Sequence, residues 1–196
     1  YLAQTEEGLR AKADKHFIKM QQEIERVGDL MNEILLLGKL EAGKTNLNKQ
    51  PVQLEQLIRE LIDMHFSYQE DGRVPQLQIK GPVTAVQIDE QLISHCLLNL
   101  IGNALKFSVG CPPPVVHLHY HRHTVVIQVQ DFGIGFKQSD KKKLFEPFYR
   151  GSNVGKIPGS GLGLVVVREF IALHGGKISC SSSAAKGTSF NIELSL

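Results

Sequence analysis

Asn99, Asn103, Lys106 and Phe107 stand three and four residues apart in the run Leu98-Asn99-Leu100-Ile101-Gly102-Asn103-Ala104-Leu105-Lys106-Phe107. On a helix, positions with that spacing share one face. Two amides, a cation and an aromatic ring on the buried side of a helix are poor choices for a plain core. They suit a nucleotide: amide oxygens for a hard metal ion, a cation for phosphate, a ring edge for the base.

Three later stretches ask for the same ligand. In Asp131-Phe132-Gly133-Ile134-Gly135-Phe136, the carboxylate ends an alternating segment, where it can accept from an exocyclic amine. Gly133 and Gly135 would let the backbone approach a flat base. Alone, this stretch reads equally well as a turn with an acidic first residue. Asp-Phe-Gly also occurs in Ser/Thr/Tyr protein kinases, but their His-Arg-Asp loop and their glycine loop ahead of a strand lysine are missing. In Gly159-Ser160-Gly161-Leu162-Gly163-Leu164, glycines lead into an apolar helical stretch. The first N–H groups of such a helix bind phosphate. The pattern lacks the Gly-Lys-Ser/Thr ending of a Walker loop, and no strand runs into it as in a Rossmann unit. In Leu144-Phe145-Glu146-Pro147-Phe148-Tyr149-Arg150-Gly151, two phenylalanines around a proline would anchor a mobile loop to the core. Arg150 there could reach a phosphate, although an exposed arginine is more often only solvated.

Periodicity places these residues on elements. Phe17, Met20, Ile24, Val27, Met31 and Ile34 follow a 3-4-3-4-3 spacing, a seam of the kind that packs helices nearly parallel. Leu35, Leu36, Leu37 and Leu40 widen it, which predicts burial on more than one side. A break over residues 8–14 predicts an earlier helix end and a turn back. Gly43 closes the seam helix, and residues 45–51 read as an extended connector. Residues 54–68 then read as an amphipathic helix, 76–80 and 85–89 as strands, 90–107 as the helix of the asparagines, and 111–114 as a proline loop. Residues 115–121 and 124–130 predict two strands about a tight turn, 161–174 a third helix, and 177–182 and 188–194 closing strands. Residues 137–160 carry little periodicity, as a lid would. Strands grouped in pairs predict an α+β fold, not the strict alternation of a parallel doubly wound sheet.

Composition narrows the class further. With 22 Lys and Arg against 20 Asp and Glu, the net charge is +2 and no basic stripe marks a nucleic-acid partner. Lys141-Lys142-Lys143 reads as solvated surface. Cys96, Cys111 and Cys180 are odd in number and lack Cys-x-x-Cys spacing, which argues for a reducing compartment over a disulfide frame or zinc site. No apolar run approaches the ~18 residues of a membrane span. The first residue, Tyr1, is not a methionine, so a fragment of a longer protein is expected. His117, His119, His121 and His123 alternate, so several imidazoles would share a strand face. Without a carboxylate or cysteine at matching spacing, a solvent-facing strand over a Val116, Leu118 and Tyr120 core face is preferred to a metal site.

In their order and spacing, these pieces resemble the histidine kinases of two-component signalling. The asparagine helix is similar to their N box, Asp131 to Gly135 to their G1 box, Phe145 to Phe148 to their F box, and Gly159 to Gly163 to their G2 box. Gly187-Thr188-Ser189-Phe190 is similar to the signature closing that domain, and Gly38-Lys39-Leu40-Glu41-Ala42-Gly43-Lys44 to the end of the family's second hairpin helix. The resemblance implies a Bergerat-type α/β sandwich, a mixed sheet with helices on one face, over residues 46–196. A partial dimerisation hairpin would occupy residues 1–45. It implies ATP and Mg2+ as ligands, with Asn103 on the metal, Asn99 and Lys106 acting at the phosphates, Phe107 beside the adenine and Asp131 on its amino group. Gly133, Gly135, Gly159, Ser160, Gly161, Leu162, Gly163, Phe145, Phe148, Arg150 and Thr188 would complete the nucleotide site.

Implied with the family are a homodimer through the N-terminal helices, a response-regulator receiver domain as partner, and a cytoplasmic setting. No membrane contact is expected within these residues. The family's acceptor histidine, followed by an acidic residue and usually Arg-Thr-Pro, has no match among the eight histidines. His16 reads as a surface or interhelical residue, and the acceptor is expected upstream of Tyr1. Gyrase- and chaperone-type ATPases place a water-activating glutamate one turn before the metal asparagine, where this chain has Asn99, so hydrolysis is disfavoured. A nucleotide-responsive module without catalysis is the reading from another class. His95, one turn before Asn99, would either approach the phosphates or serve structure.

Overall fold

The structure, a computed structural model, describes residues 13, 16–17, 20–21, 23–24, 27–28, 30–39, 47–69, 71–155, 157–183 and 187–196. The chain divides into two compact units, Tyr1–Gly43 and Lys44–Leu196. In the first, every described residue is helical. The six seam residues are 48–68% exposed, and Leu35, expected to be covered, is also exposed. The expected break at residues 8–14 and the close at Gly43 lie mostly or wholly outside the described residues.

The second unit runs β1 (Gln50–Val52), α1 (Leu54–Phe66), β2 (Gln76–Lys80), β3 (Val86–Ile88), α2 (Glu90–Lys106), β4 (Val115–Tyr120), β5 (Thr124–Gln130), α3 (Gly163–Leu173), β6 (Lys177–Ser183) and β7 (Gly187–Ser195). Five strands form one sheet in the order β2-β4-β5-β7-β6, and β1 pairs with β3 in a separate ribbon. The β2–β4 pair is parallel and the other pairs are antiparallel. This mixed sheet is the α+β arrangement that the grouped strands predict.

Alternation sets the core face. Val116, Leu118 and Tyr120 on β4, Val125, Ile127 and Val129 on β5, and Phe190, Ile192 and Leu194 on β7 are all buried. Against them, α1 buries Leu54, Leu57, Ile58, Leu61 and Ile62, a helical repeat. Helix α2 buries Ile93, Cys96, Leu97, Leu100, Ile101, Ala104 and Leu105. Asp89 caps its start by accepting from Leu92 N at 3.2 Å. Arg73 closes its end, donating to the Leu105 and Ser108 carbonyls at 3.0 and 2.7 Å. A guanidinium there also offsets the negative end of the helix dipole.

Three expectations are corrected. Residues 50–52 are a strand, not plain connector, because their backbone pairs with residues 86–88. Helix α3 starts at Gly163 rather than at 161, because Gly161 has φ +77, outside the helical region. Phe107 ends α2 instead of sharing its face: at φ −93, ψ 2 it leaves the helix while its N–H still donates to Asn103 O.

Candidate functional site

Helix α2 carries the asparagines on its half-buried edge. Asn103 Nδ2 donates to Asn99 Oδ1 at 3.0 Å. The planar Asn103 amide therefore turns its carbonyl oxygen away from Asn99. The Asn99 amide lies against Gly163: a Cβ at that glycine would stand 2.8 Å from Asn99 Cγ and 2.9 Å from Oδ1. One turn on, Lys106 Nζ sits 5.1 Å from the Phe107 ring centroid and 3.0 Å from the Cβ position of Gly159. The glycine turn is thus brought onto the polar edge of α2, with the cation at its mouth.

That turn is shaped for approach. Ser160 Oγ accepts from Leu162 N at 3.2 Å. Gly161 takes a left-handed backbone, and a side chain there would press on the Phe148 and Tyr149 backbone at 2.8 and 2.9 Å. Leu162 is buried and precedes α3, whose start is held by no side-chain cap among the described residues. Uncapped leading N–H groups of this kind are chemically suited to an anion.

Asp131 lies just after β5 and is 4% exposed. Its Oδ1 accepts from Gly133 N at 2.8 Å and Thr188 N at 3.1 Å, and the Thr188 side chain also bonds the carboxylate. Burial raises the carboxyl above its ordinary value, against these hydrogen bonds, which lower it. Gly133 also packs against the end of α2. A Cβ there would meet Phe107 C at 2.6 Å and Ser108 Cα at 2.7 Å, and Ile134 N donates to Phe107 O at 3.1 Å. The missing side chain lets this turn pack on the end of α2. Gly187, at φ +80, packs in the same way on the Asp131 and Phe132 backbone. Gly135 has φ +61, and its carbonyl accepts from Asn153 at 2.8 Å.

The loop 137–160 is organised by Asp140. Its carboxylate accepts from Ser152 N and Oγ, both at 3.0 Å, and from Ser139 Oγ at 3.1 Å. The Ser152 N–H, followed by the Ser152, Ser139 and Tyr149 side chains, holds this carboxyl below its usual range against the effect of burial. Phe145 is half-buried, and its carbonyl accepts from Arg168 of α3 at 3.0 Å. Phe148 is not the expected anchor. Its φ of +61 leaves the ring 63% exposed, and its backbone makes the contact through Phe148 N to Gly161 O at 3.1 Å. Arg150 bonds the Gly155 and Ile157 carbonyls within the loop.

Two further groups stand outside the predicted set. His174 is buried at the end of α3; its Nε2 accepts Asp89 N–H at 3.0 Å and its Nδ1 meets Phe170 O at 2.7 Å. Asp89 also accepts from Asn48 N at 3.0 Å, so β1's approach, α2 and α3 meet here. Its signals, a capping aspartate before one helix and a histidine before Gly175-Gly176, were each visible; their pairing was not. His95 packs edge-on against Phe170, with ring centroids 5.7 Å apart, a structural contact. His117 and His119 share a face, with centroids 5.9 Å apart. No group of three His, Cys, Asp or Glu suited to a metal occurs among the described residues.

The structure brings together Asn99, Asn103, Lys106, Gly159 and Gly163 in one cluster and Asp131, Gly133 and Thr188 in another, joined through Phe107. A carboxylate for a base amine, an ammonium and helix amides for phosphates, and an amide oxygen for a hard cation suit a metal nucleotide. Residues 88–196 match the family described as histidine kinase-, DNA gyrase B-, and HSP90-like ATPase. The chain is 30% identical over 187 residues to sensor histidine kinase WalK of Bacillus subtilis (strain 168), covering 93% of this chain and 30% of that protein. It is 32% identical over 178 residues to circadian input-output histidine kinase CikA of Synechococcus elongatus, covering 86% and 23%. The chain thus spans less than a third of either relative. Among solved structures, full-length ShkA in complex with AMPPNP matches with TM-score 0.75 and 26% identity, over 86% of this chain and 35% of that one. Acinetobacter baumannii histidine kinase AdeS matches with TM-score 0.75 over 91% and 83%; at 23% identity this shows the shared fold.

Proposed function

Since the chain belongs to the family of histidine kinase-, DNA gyrase B- and HSP90-like ATPases, we propose that residues 46–196 are the ATP-binding catalytic domain of a sensor histidine kinase. Residues 1–45 would then be part of its dimerisation hairpin. The observation that carries this reading is the meeting of α2's polar edge with the glycine turn of α3. It puts an amide pair, an ammonium and a helix N-terminus against one another.

In this reading Asp131 accepts from the adenine amino group, with Thr188 and Gly133 holding the carboxylate in place. Phe107 lies beside the base, and Gly135 shapes its turn. Lys106 and the amides at Gly161, Leu162 and Gly163 take the phosphates, with Gly159 and Ser160 completing the turn. Asn103 supplies an oxygen to Mg2+, a fit supported by the orientation of its amide. When bound, an ion held by Asn103 would supply positive charge to offset that of the phosphates. Phe145, Phe148 and Arg150 belong to the lid over the nucleotide.

The reaction forms a bond between a histidine nitrogen and the γ-phosphorus and breaks the bond from that phosphorus to the oxygen of departing ADP. The protein's share is placement and charge stabilisation. In this reading the acceptor histidine is carried by a helix of the dimerisation bundle. The phosphoryl group then passes to an aspartate of a response-regulator receiver domain. A homodimer through the exposed seam and a cytoplasmic setting complete the proposal; among the described residues no helix is long and apolar enough to cross a membrane. Asn99 stands where a hydrolase of this superfamily would need a glutamate, which favours transfer over hydrolysis. The test is Asn103→Ala in calorimetry with Mg2+ and a non-hydrolysable ATP analogue. A loss of about tenfold or more is expected; undiminished affinity overturns the metal assignment.

A further inference from the structure

Glycines beside phosphates are usually explained by the ligand's need for space. Gly163 has another neighbour. It is buried at the first position of α3, and the site its side chain would fill is taken by the Asn99 amide, with Cγ 2.8 Å and Oδ1 2.9 Å away. The same Oδ1 accepts Asn103 Nδ2–H at 3.0 Å. A chain of contacts thus runs from the bare Cα of Gly163, through the Asn99 amide, to the orientation of the Asn103 amide. From this we infer that the bare Cα of Gly163 and the Asn99 side chain position the cation's ligand, acting through Asn103 and apart from any contact the Gly163 amide makes with phosphate. The inference rests on the nucleotide reading above and deepens it.

The physical reason is planarity. A free asparagine amide can present either its oxygen or its nitrogen to a cation, and only the oxygen binds. Donation from Asn103 Nδ2 to Asn99 fixes which end faces outward. Asn99 can accept only while its own amide is seated, and its seat is the Gly163 backbone. The obstacle to a side chain at 163 is the far end of a flexible residue, whereas at Gly133 and Gly187 it is backbone. Gly163→Ala therefore leaves the fold intact and swings Asn99 aside. Alanine is also the better helix former, so the unfolding midpoint should not fall.

The experiment uses the whole 196-residue chain and ADP, titrated by calorimetry in excess Mg2+ and again in chelator. The quantity read is the ratio of the two affinities. In Gly163→Ala and in Asn99→Ala that ratio should fall about tenfold, as it does when a residue supporting a metal ligand is lost. In the double variant it should equal that of Asn99→Ala alone, because the substitution keeps the Gly163 amide and the atoms nearest its added Cβ all belong to Asn99. A Gly163→Ala ratio equal to wild type, even with both affinities reduced, overturns the inference. So does a further fall in the double variant. A wild-type chain that binds ADP in neither condition overturns the nucleotide reading itself, a result distinct from both.

Discussion

Asp131 shows how a single residue sets function against stability. Its carboxylate is buried, and desolvation wins over the Gly133 and Thr188 hydrogen bonds, so its folded pKa lies above the unfolded one. An acid shifted this way favours the fold while protonated; that contribution is complete below about pH 3.9, its unfolded value, and is lost as pH rises through the folded value. Ionising the buried carboxyl therefore works against the fold. Asp131→Asn keeps an oxygen for the two backbone donors and removes the charge. Its thermal midpoint at pH 7 should be no lower than that of wild type. Its ATP affinity should drop about 10–100-fold, the worth of a charged hydrogen bond to the base amine. Scanning calorimetry and isothermal titration check the two halves. The aspartate was legible in the sequence because it ends an alternating strand. The Gly133 contact was not, because only folding brings the Phe107 carbonyl beside that turn.

Among elements, the joint between α2 and α3 is the informative case. The His174 ring accepts from the first backbone N–H ahead of α2 while bonding the Phe170 carbonyl of α3. Burial, aided by the Lys49 charge, lowers its pKa against the Phe170 bond and the Asp89 charge, which raise it. A histidine with a depressed folded pKa lends stability above its ordinary value of about 6.5 and withdraws it as pH falls through the folded one. Urea unfolding should show wild type weakening as pH drops below about 6.5, with His174→Gln less stable at neutral pH but flatter across that window. Long helices and strands were legible because their buried positions repeat. Gln50–Val52 was not: three residues with Pro51 at the centre carry no period, and their strand character comes from the partner at Val86–Ile88. Likewise, the glycines before α3 read as helix until the left-handed Gly161 is seen to stop it.

For the molecule as a whole, the exposed seam among the described residues of the first unit is the feature that bears on assembly. Phe17, Met20, Ile24, Val27, Met31 and Ile34 are exposed together, a stripe that association in the manner of a coiled coil would cover. Replacing Ile24 and Val27 with lysine should make a dimeric chain monomeric in sedimentation velocity. ADP affinity should be unchanged, because both positions lie outside the unit Lys44–Leu196. The spacing of the seam was plain in the sequence; the copy that would cover it lies beyond one chain's pattern. The loop around Asp140 has a consequence for timing. Its carboxylate gathers Ser139, Tyr149 and Ser152, and Arg150 fastens its own neighbouring carbonyls. If this loop is the lid proposed above, these internal bonds would let it close as a hinged plate, not as loose string. Much of the disorder such a cover would lose in settling over a guest is already gone before the guest arrives.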